Sequence, residues 1–230
     1  AAARCRNGLA AALEYAAGGG GGGETKERAR RRAAALRGAA RLYQSYLILA
    51  LLACVPDRQR TFRELELGTT LVREGNGAWT IRHGPSDYKT GGAYGARPPL
   101  PVSPALGPAL DEYVARYRPA LLGQEAHRRL FAQPRTGRPL TRDSVYQLVA
   151  RACFRHTGRK TNPHLLRDMV VTHVRGGGAA SEQELEALAL YMGHSLQTQR
   201  QSYDRRTLGE KVAPAVALLA RAGAGAGGPP

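Results

Sequence analysis

The last third of the chain carries two helix starts and one helix stop, and these bracket its most reactive side chains. Asn162-Pro163 is a start: Asn at the N-cap accepts hydrogen bonds from the first free N–H groups, and Pro at the first helical position has no N–H to leave unpaired. Ser181-Glu182-Gln183-Glu184 is a second start, a capping box, and it opens a helix with Leu185, Leu188 and Met192 on its apolar side. Gly193 fits the stop of that helix. His164 and Arg167 therefore share one face of the first helix, near the positive end of its macrodipole. His194 falls on the turn straight after the second helix, and Tyr203 follows it by nine residues.

These residue types fit one kind of chemistry. Attack on a nucleic-acid phosphodiester builds negative charge on the non-bridging oxygens, so fixed cationic donors must be aimed at them. Arginine suits that task because its planar fork meets phosphate bidentately and keeps its proton. A tyrosine hydroxyl must lose a proton to attack, and the departing ribose oxygen must gain one. The minimal kit is two arginines, a histidine or two, a proton donor and the tyrosine. No single piece identifies it, since His156-Thr157-Gly158-Arg159 also satisfies H-x-x-R. The conjunction does.

From Leu42 to Arg206 the chain resembles the tyrosine recombinase (phage integrase) family. That family's pattern is a first arginine after a helix, a lysine on a β-hairpin, H-x-x-R, a Gly-His or Gly-Trp, and a tyrosine nine residues later. Arg58 follows the apolar run Leu47–Ala53 and precedes Leu65-Glu66-Leu67, which matches the first arginine; Arg60 and Arg63 are its rivals. Relatives often carry R-x-x-E-L here, whereas Thr61 stands three residues after Arg58. Lys89 lies in Asp87-Tyr88-Lys89-Thr90-Gly91-Gly92, on the last connection of a small sheet expected from Leu67–Val72, Ala78–Arg82 and Tyr94–Leu100. With thirty arginines against four lysines, a lysine at that place stands out. Two more departures are the 27-residue step from Arg167 to His194, with an extra loop expected at Gly176–Ala180, and Asp168, where many relatives place a histidine.

The resemblance implies a mainly α catalytic domain with a small antiparallel β-sheet (α+β). It implies a site-specific recombinase or integrase that breaks and rejoins DNA through a 3′-phosphotyrosyl intermediate. Tyr203 would be the nucleophile, or Tyr191 if the nucleophile lies elsewhere. Arg58, Arg167 and His194 would hold the phosphate, Lys89 would protonate the leaving oxygen, and His164 would help accept the tyrosine proton. No cofactor, metal or ATP is expected. The partners implied are double-stranded DNA and further copies of the chain, a tetramer on DNA, with no membrane. A mobile-element origin follows, and an intracellular location with the DNA: nucleus in a eukaryote, cytoplasm in a prokaryotic or viral setting. A type IB topoisomerase and an inactive DNA-binding relic remain the alternatives, with Gly-His-Ser around His194 favouring the recombinase.

Composition agrees. The formal net charge of +16 points to a polyanionic partner. Arg28, Arg30, Arg31 and Arg32 lie in a basic helix that either faces a phosphate backbone or is a solvated face, and Arg97 is a further expected DNA contact. Cys5, Cys54 and Cys153 have neither pairing nor metal spacing, which predicts a reducing compartment and burial. No run reaches the ~18–20 apolar residues of a membrane span, and no signal-peptide pattern opens the sequence. Helices are expected at Lys26–Val55, Pro104–Leu122, Asp143–His156, Pro163–Val174, Ser181–Met192, a short segment carrying Tyr203, and Leu208–Ala222, the last of them capped by Thr207-x-x-Glu210. The expected division is a Gly-rich linker or remnant over 1–24, a catalytic domain over 25–207, and a C-terminal helix and tail over 208–230. Relatives add an N-terminal core-binding domain, so the chain is expected to be a fragment, a truncated gene model or a relic of a mobile element.

Overall fold

A computed structural model describes residues 25–89, 91–193 and 195–225. The polyglycine stretch, Cys5, His194 and the end of the tail lie outside the described residues. The chain divides into two compact units, Ala1–Leu166 and Arg167–Pro230. That division runs through the expected 25–207 domain rather than at its ends.

In the first unit, helix α1 (Lys26–Cys54) opens at Thr25, whose hydroxyl accepts from Arg28 N. Its apolar run buries Leu47, Ile48, Leu51 and Leu52. Against it packs the stretch Pro104–Leu122, expected as one helix and found as four joined pieces: a 3₁₀ turn Pro104–Leu106, α4 (Gly107–Glu112), a π turn Tyr113–Tyr117 and α5 (Arg118–Leu122). Pro119 explains the break, because its ring crowds the carbonyl four residues back and it donates no hydrogen bond; the widened π turn relieves both. Tyr113 and Tyr117 from that turn are fully buried, and Tyr43 of α1 stacks on Tyr117 at 4.6 Å between centroids. Gln44, also fully buried, spends both ends of its amide: Oε1 accepts from Tyr113 Oη at 2.6 Å and Ala132 N at 3.0 Å, and Nε2 donates to Ala132 O at 3.0 Å.

Short α2 (Gln59–Arg63) leads to a three-stranded antiparallel sheet in the order β1 (Leu71–Arg73), β2 (Trp79–Ile81), β3 (Leu100–Pro101). Leu71 pairs Ile81, and Ile81 pairs Leu100. The sheet is smaller than expected at both ends. Glu66 O accepts from the N–H groups of Thr69, Thr70 and Leu71, winding the start of the expected first strand into a turn. Pro98, Pro99 and Pro101 cannot donate to a ladder, so the third strand shrinks to two residues. Gly91–Tyr94, partly expected as strand, is instead a helical turn, α3. Helix α6 (Arg142–Thr157) closes the unit, with Val145 and Val149 buried.

Helix α7 (Pro163–Gly176) contains the boundary between units. In the second unit α8 (Glu182–Tyr191) begins at the expected capping box: Ser181 N donates to Glu184 Oε2 at 2.7 Å and Glu184 N to Ser181 Oγ at 3.2 Å. Met192 and Val171 pack together with Leu188 and Tyr191. After α9 (Leu196–Thr198) comes a π turn, Gln199–Tyr203, and then α10 (Leu208–Gly225), capped by Thr207 and Glu210 as expected. Val212, Val216, Leu218 and Leu219 of α10 are exposed. Cys54 is exposed and Cys153 half-buried, so burial does not protect either thiol fully. Among the described residues no helix is long and apolar enough to cross a membrane.

Candidate active site

Three of the six expected catalytic residues belong to the first unit. Arg58 is the N-cap of α2 and is half-buried, and its carbonyl accepts from the N–H of buried Phe62 at 3.1 Å. Its rivals are committed to one carboxylate: Arg60 Nε lies 3.1 Å and Arg63 Nη2 2.7 Å from Glu64. Burial pushes the Glu64 carboxyl up, but the hydrogen bonds and charges of Arg63 and Arg60 more than reverse this and hold it below its usual range. Lys89 is exposed on the loop between β2 and β3, just after a 3₁₀ turn at Pro85–Asp87. His164 is exposed in the first turn of α7, and Asn162 caps that turn as expected by accepting Leu165 N at 2.9 Å.

The Arg97 side chain is only 7% exposed and its Nη1 donates to Asp57 Oδ1 at 2.5 Å, with Asp57 3% exposed. Its guanidinium also lies 4.1 Å from the centroid of the Tyr88 ring. In this structure the Arg97 side chain is committed to an internal ion pair with Asp57. Arg28, Arg30, Arg31 and Arg32 are all exposed on the first turns of α1. Helical spacing groups Arg28, Arg31 and Arg32 and turns Arg30 to the other side. Arg31 also pairs with Glu27 at 2.5 Å.

The other three belong to the second unit. Arg167 is 2% exposed, the largest of the fully buried side chains, and its Nη2 donates to Met192 O at 3.1 Å. That bond fastens α7 to the end of α8 at the residue before Gly193, which turns with φ 73°, a left-handed conformation that favours glycine. His194 follows directly. Tyr203 ends the π turn that begins at Gln199, and both sides of this turn are tied to α7. On the near side Arg175 Nη2 donates to Gln199 Oε1 at 2.9 Å, with Gln199 fully buried. On the far side Arg205 N donates to Thr172 Oγ1 at 3.0 Å, and Arg205 Nε and Nη2 reach Asp168 Oδ2 at 3.1 and 2.9 Å.

Asp168, the departure from the family's histidine, is thus a buried carboxylate that holds the segment after Tyr203. One residue before Arg205, burial pushes the Asp204 carboxyl up, but Arg206 more than offsets this and leaves it below the ordinary range. Tyr191 is half-buried and packs against Val171 and Met192. Sequence reasoning did not single out Asp57, His83, Arg175, Gln199 or Arg205. Their partners stand too far along the chain for any local pattern to mark them.

No protein-family model matches the sequence, and no curated protein matches it. Solved structures do. The XerH site-specific recombinase bound to palindromic difH substrate, a post-cleavage complex, aligns with 90% of this chain at a TM-score of 0.52 and 20% identity. The pre-cleavage complex of XerH with difH aligns with 90% of this chain at a TM-score of 0.51 and 20% identity. The chain covers 51% of XerH's length in each comparison. What it shares with XerH is therefore a fold, the mainly helical, small-sheet fold of a tyrosine recombinase catalytic domain.

Proposed function

We propose that the protein is a site-specific DNA strand transferase that works through a phosphotyrosyl intermediate at Tyr203. The observation that carries this reading is helix α7. It bears buried Arg167, which grips the carbonyl of Met192 just before Gly193, and it is tied on both sides to the turn ending in Tyr203. A single helix that carries the cation and is tied both to the residue before Gly193 and to the turn ending in Tyr203 supports the preorganisation that charge stabilisation requires.

In this reading the Tyr203 oxygen attacks the scissile phosphorus and its proton passes to the His164 side of the site. The bond to the 5′ oxygen breaks as Lys89 supplies a proton, leaving a 3′-phosphotyrosyl link and a free 5′-hydroxyl. Arg58, Arg167 and His194 hold the non-bridging oxygens while charge develops on them. A 5′-hydroxyl from a partner duplex reverses the step, and the bond energy kept in the covalent link drives rejoining. Arg28, Arg31 and Arg32 support the DNA assignment: cations at a helix start oppose the macrodipole, a cost that a bound phosphate backbone removes. The exposed apolar face of α10 supports assembly of several copies on DNA.

A nicked suicide duplex tests the reading. Wild-type protein should form a covalent adduct, and Tyr203→Phe should abolish it while leaving DNA affinity nearly unchanged, because one hydroxyl does the chemistry and many arginines do the binding. Undiminished adduct from Tyr203→Phe would move the nucleophile elsewhere. Strand exchange between two duplexes would separate a recombinase from an enzyme that reseals only its own strand.

A further inference from the structure

The loop that carries Lys89 is fastened to the turn that carries Arg58 by a buried chain of contacts. Asp57, the residue before Arg58, is 3% exposed, and its two carboxylate oxygens face the two ends of that loop. Oδ1 accepts from Arg97 Nη1 at 2.5 Å, and Oδ2 lies 3.8 Å from His83 Nδ1. Arg97 N in turn donates to His83 O at 3.0 Å, closing the base of the loop. The Arg97 guanidinium then lies over Tyr88, the residue before Lys89, at 4.1 Å from its ring centroid. Tyr88 is itself 5% exposed, and its hydroxyl donates to Gly95 O. Between these fixed points the loop is closely packed: a Cβ on Gly91 would sit 1.9 Å from Pro85 O, and Gly91 N donates to Tyr88 O at 3.1 Å.

Burying an ion pair is a poor way to gain stability, because desolvation offsets most of the attraction. What such a pair does supply is direction. One carboxylate with a partner at each end of a single loop fixes that loop's base, and the stacked guanidinium fixes the ring beside Lys89.

We infer that Asp57, Arg97 and Tyr88 are positioning residues that hold Lys89 at its working place beside the Arg58 turn. This rests on the reading of Lys89 as the group that protonates the leaving oxygen. A general acid contributes roughly 10²- to 10⁴-fold to rate, so displacing it forfeits part of that factor. A 5′-bridging phosphorothioate replaces the leaving oxygen with sulfur, which departs without a proton, and so reports only on the proton donor.

Single-turnover cleavage of suicide duplexes with an oxygen or a sulfur leaving atom tests the inference in the full chain. Asp57→Asn and Tyr88→Leu should each cleave the oxygen substrate about 10-fold or more slowly and cleave the sulfur substrate at close to the wild-type rate. Tyr88→Leu keeps the Asp57–Arg97 pair and carries the test alone if Asp57→Asn does not fold. Lys89→Ala is the control: if sulfur does not restore its cleavage, the reading of Lys89 fails, whatever the other variants do. If sulfur restores Lys89→Ala but not the two positioning variants, or if both cleave oxygen at the wild-type rate, the inference is overturned.

Discussion

Removing the Asp168 carboxylate should let Tyr203 reach a phosphate held by a different copy of the protein. Asp168 is 1% exposed and accepts two hydrogen bonds from Arg205, at 3.1 and 2.9 Å. Hydrogen bonds to charged groups are worth about 1.5–3 kcal/mol. The Arg205 side chain is 61% exposed, so water and salt screen its end of the pair. A discounted value of about 1–2 kcal/mol is appropriate. That corresponds to a factor of roughly 5–30 in the ratio of docked to released segment. Thr172 still accepts Arg205 N, Arg175 still holds Gln199, and Arg206 Nη1 still reaches Arg175 O at 3.0 Å, so the segment loosens without being lost.

The assay mixes two disabled proteins on a suicide duplex. One carries Tyr203→Phe and keeps the phosphate site. The other carries Arg167→Met, which fills the guanidinium's space without its charge, and keeps the nucleophile. Adduct then requires Arg167 from one copy and Tyr203 from the other. With Asp168 intact, adduct should be scarce; adding Asp168→Ala to the Arg167→Met protein should raise its yield about 5- to 30-fold. Full yield with Asp168 intact, or no rise when it is removed, would show that the ion pair does not restrain the nucleophile's segment.

Two further outcomes are expected. Gln44→Leu removes three buried hydrogen bonds and leaves Tyr113 Oη and the backbone of Ala132 without them; at about 1–3 kcal/mol for each unsatisfied group, the urea midpoint should fall by about 1 M or more at an unchanged slope, and a shift under about 0.3 M would show that the network relaxes freely. Burial lowers the His83 pKa, with the Arg97 charge helping and Asp57 and Asp87 opposing. The folded chain therefore takes up this proton less readily than the unfolded chain, whose histidines titrate near pH 6.5. The corresponding stability is fully present above about pH 6.5 and is lost as pH falls from there toward the lower folded value. Melting temperatures of wild type and His83→Gln between pH 7.5 and pH 5 should diverge in slope, and parallel curves would count against this.

What could be read from the sequence was what the chain decides within a few residues. The Ser181–Glu184 box, the Thr207–Glu210 cap and the Asn162 cap each join groups three positions apart, and all three are present. The prolines of Pro98-Pro99-Leu100-Pro101 were equally local, yet the strand expected at Tyr94–Leu100 is longer than their missing N–H groups allow. The ion pair of Arg97 stayed hidden for the opposite reason. Its partner Asp57 lies forty positions away, and nothing in Gly95-Ala96-Arg97-Pro98 distinguishes a buried cation from a surface one. The Asp168–Arg205 pair, 37 positions apart, was invisible in the same way, and so Asp168 stood only as a departure until the structure gave its carboxylate a task.

Gly91 and Gly92 are adjacent and identical, yet they carry different amounts of information. A side chain at Gly91 would collide with the backbone of Pro85, whereas one at Gly92 would meet nothing within 4 Å. Selection that preserves the Lys89 loop therefore acts on the first glycine and is indifferent to the second. Among related sequences, a drifting residue 92 beside a fixed residue 91 would mark those that keep the packing of this loop, and drift at both would mark those that have given it up.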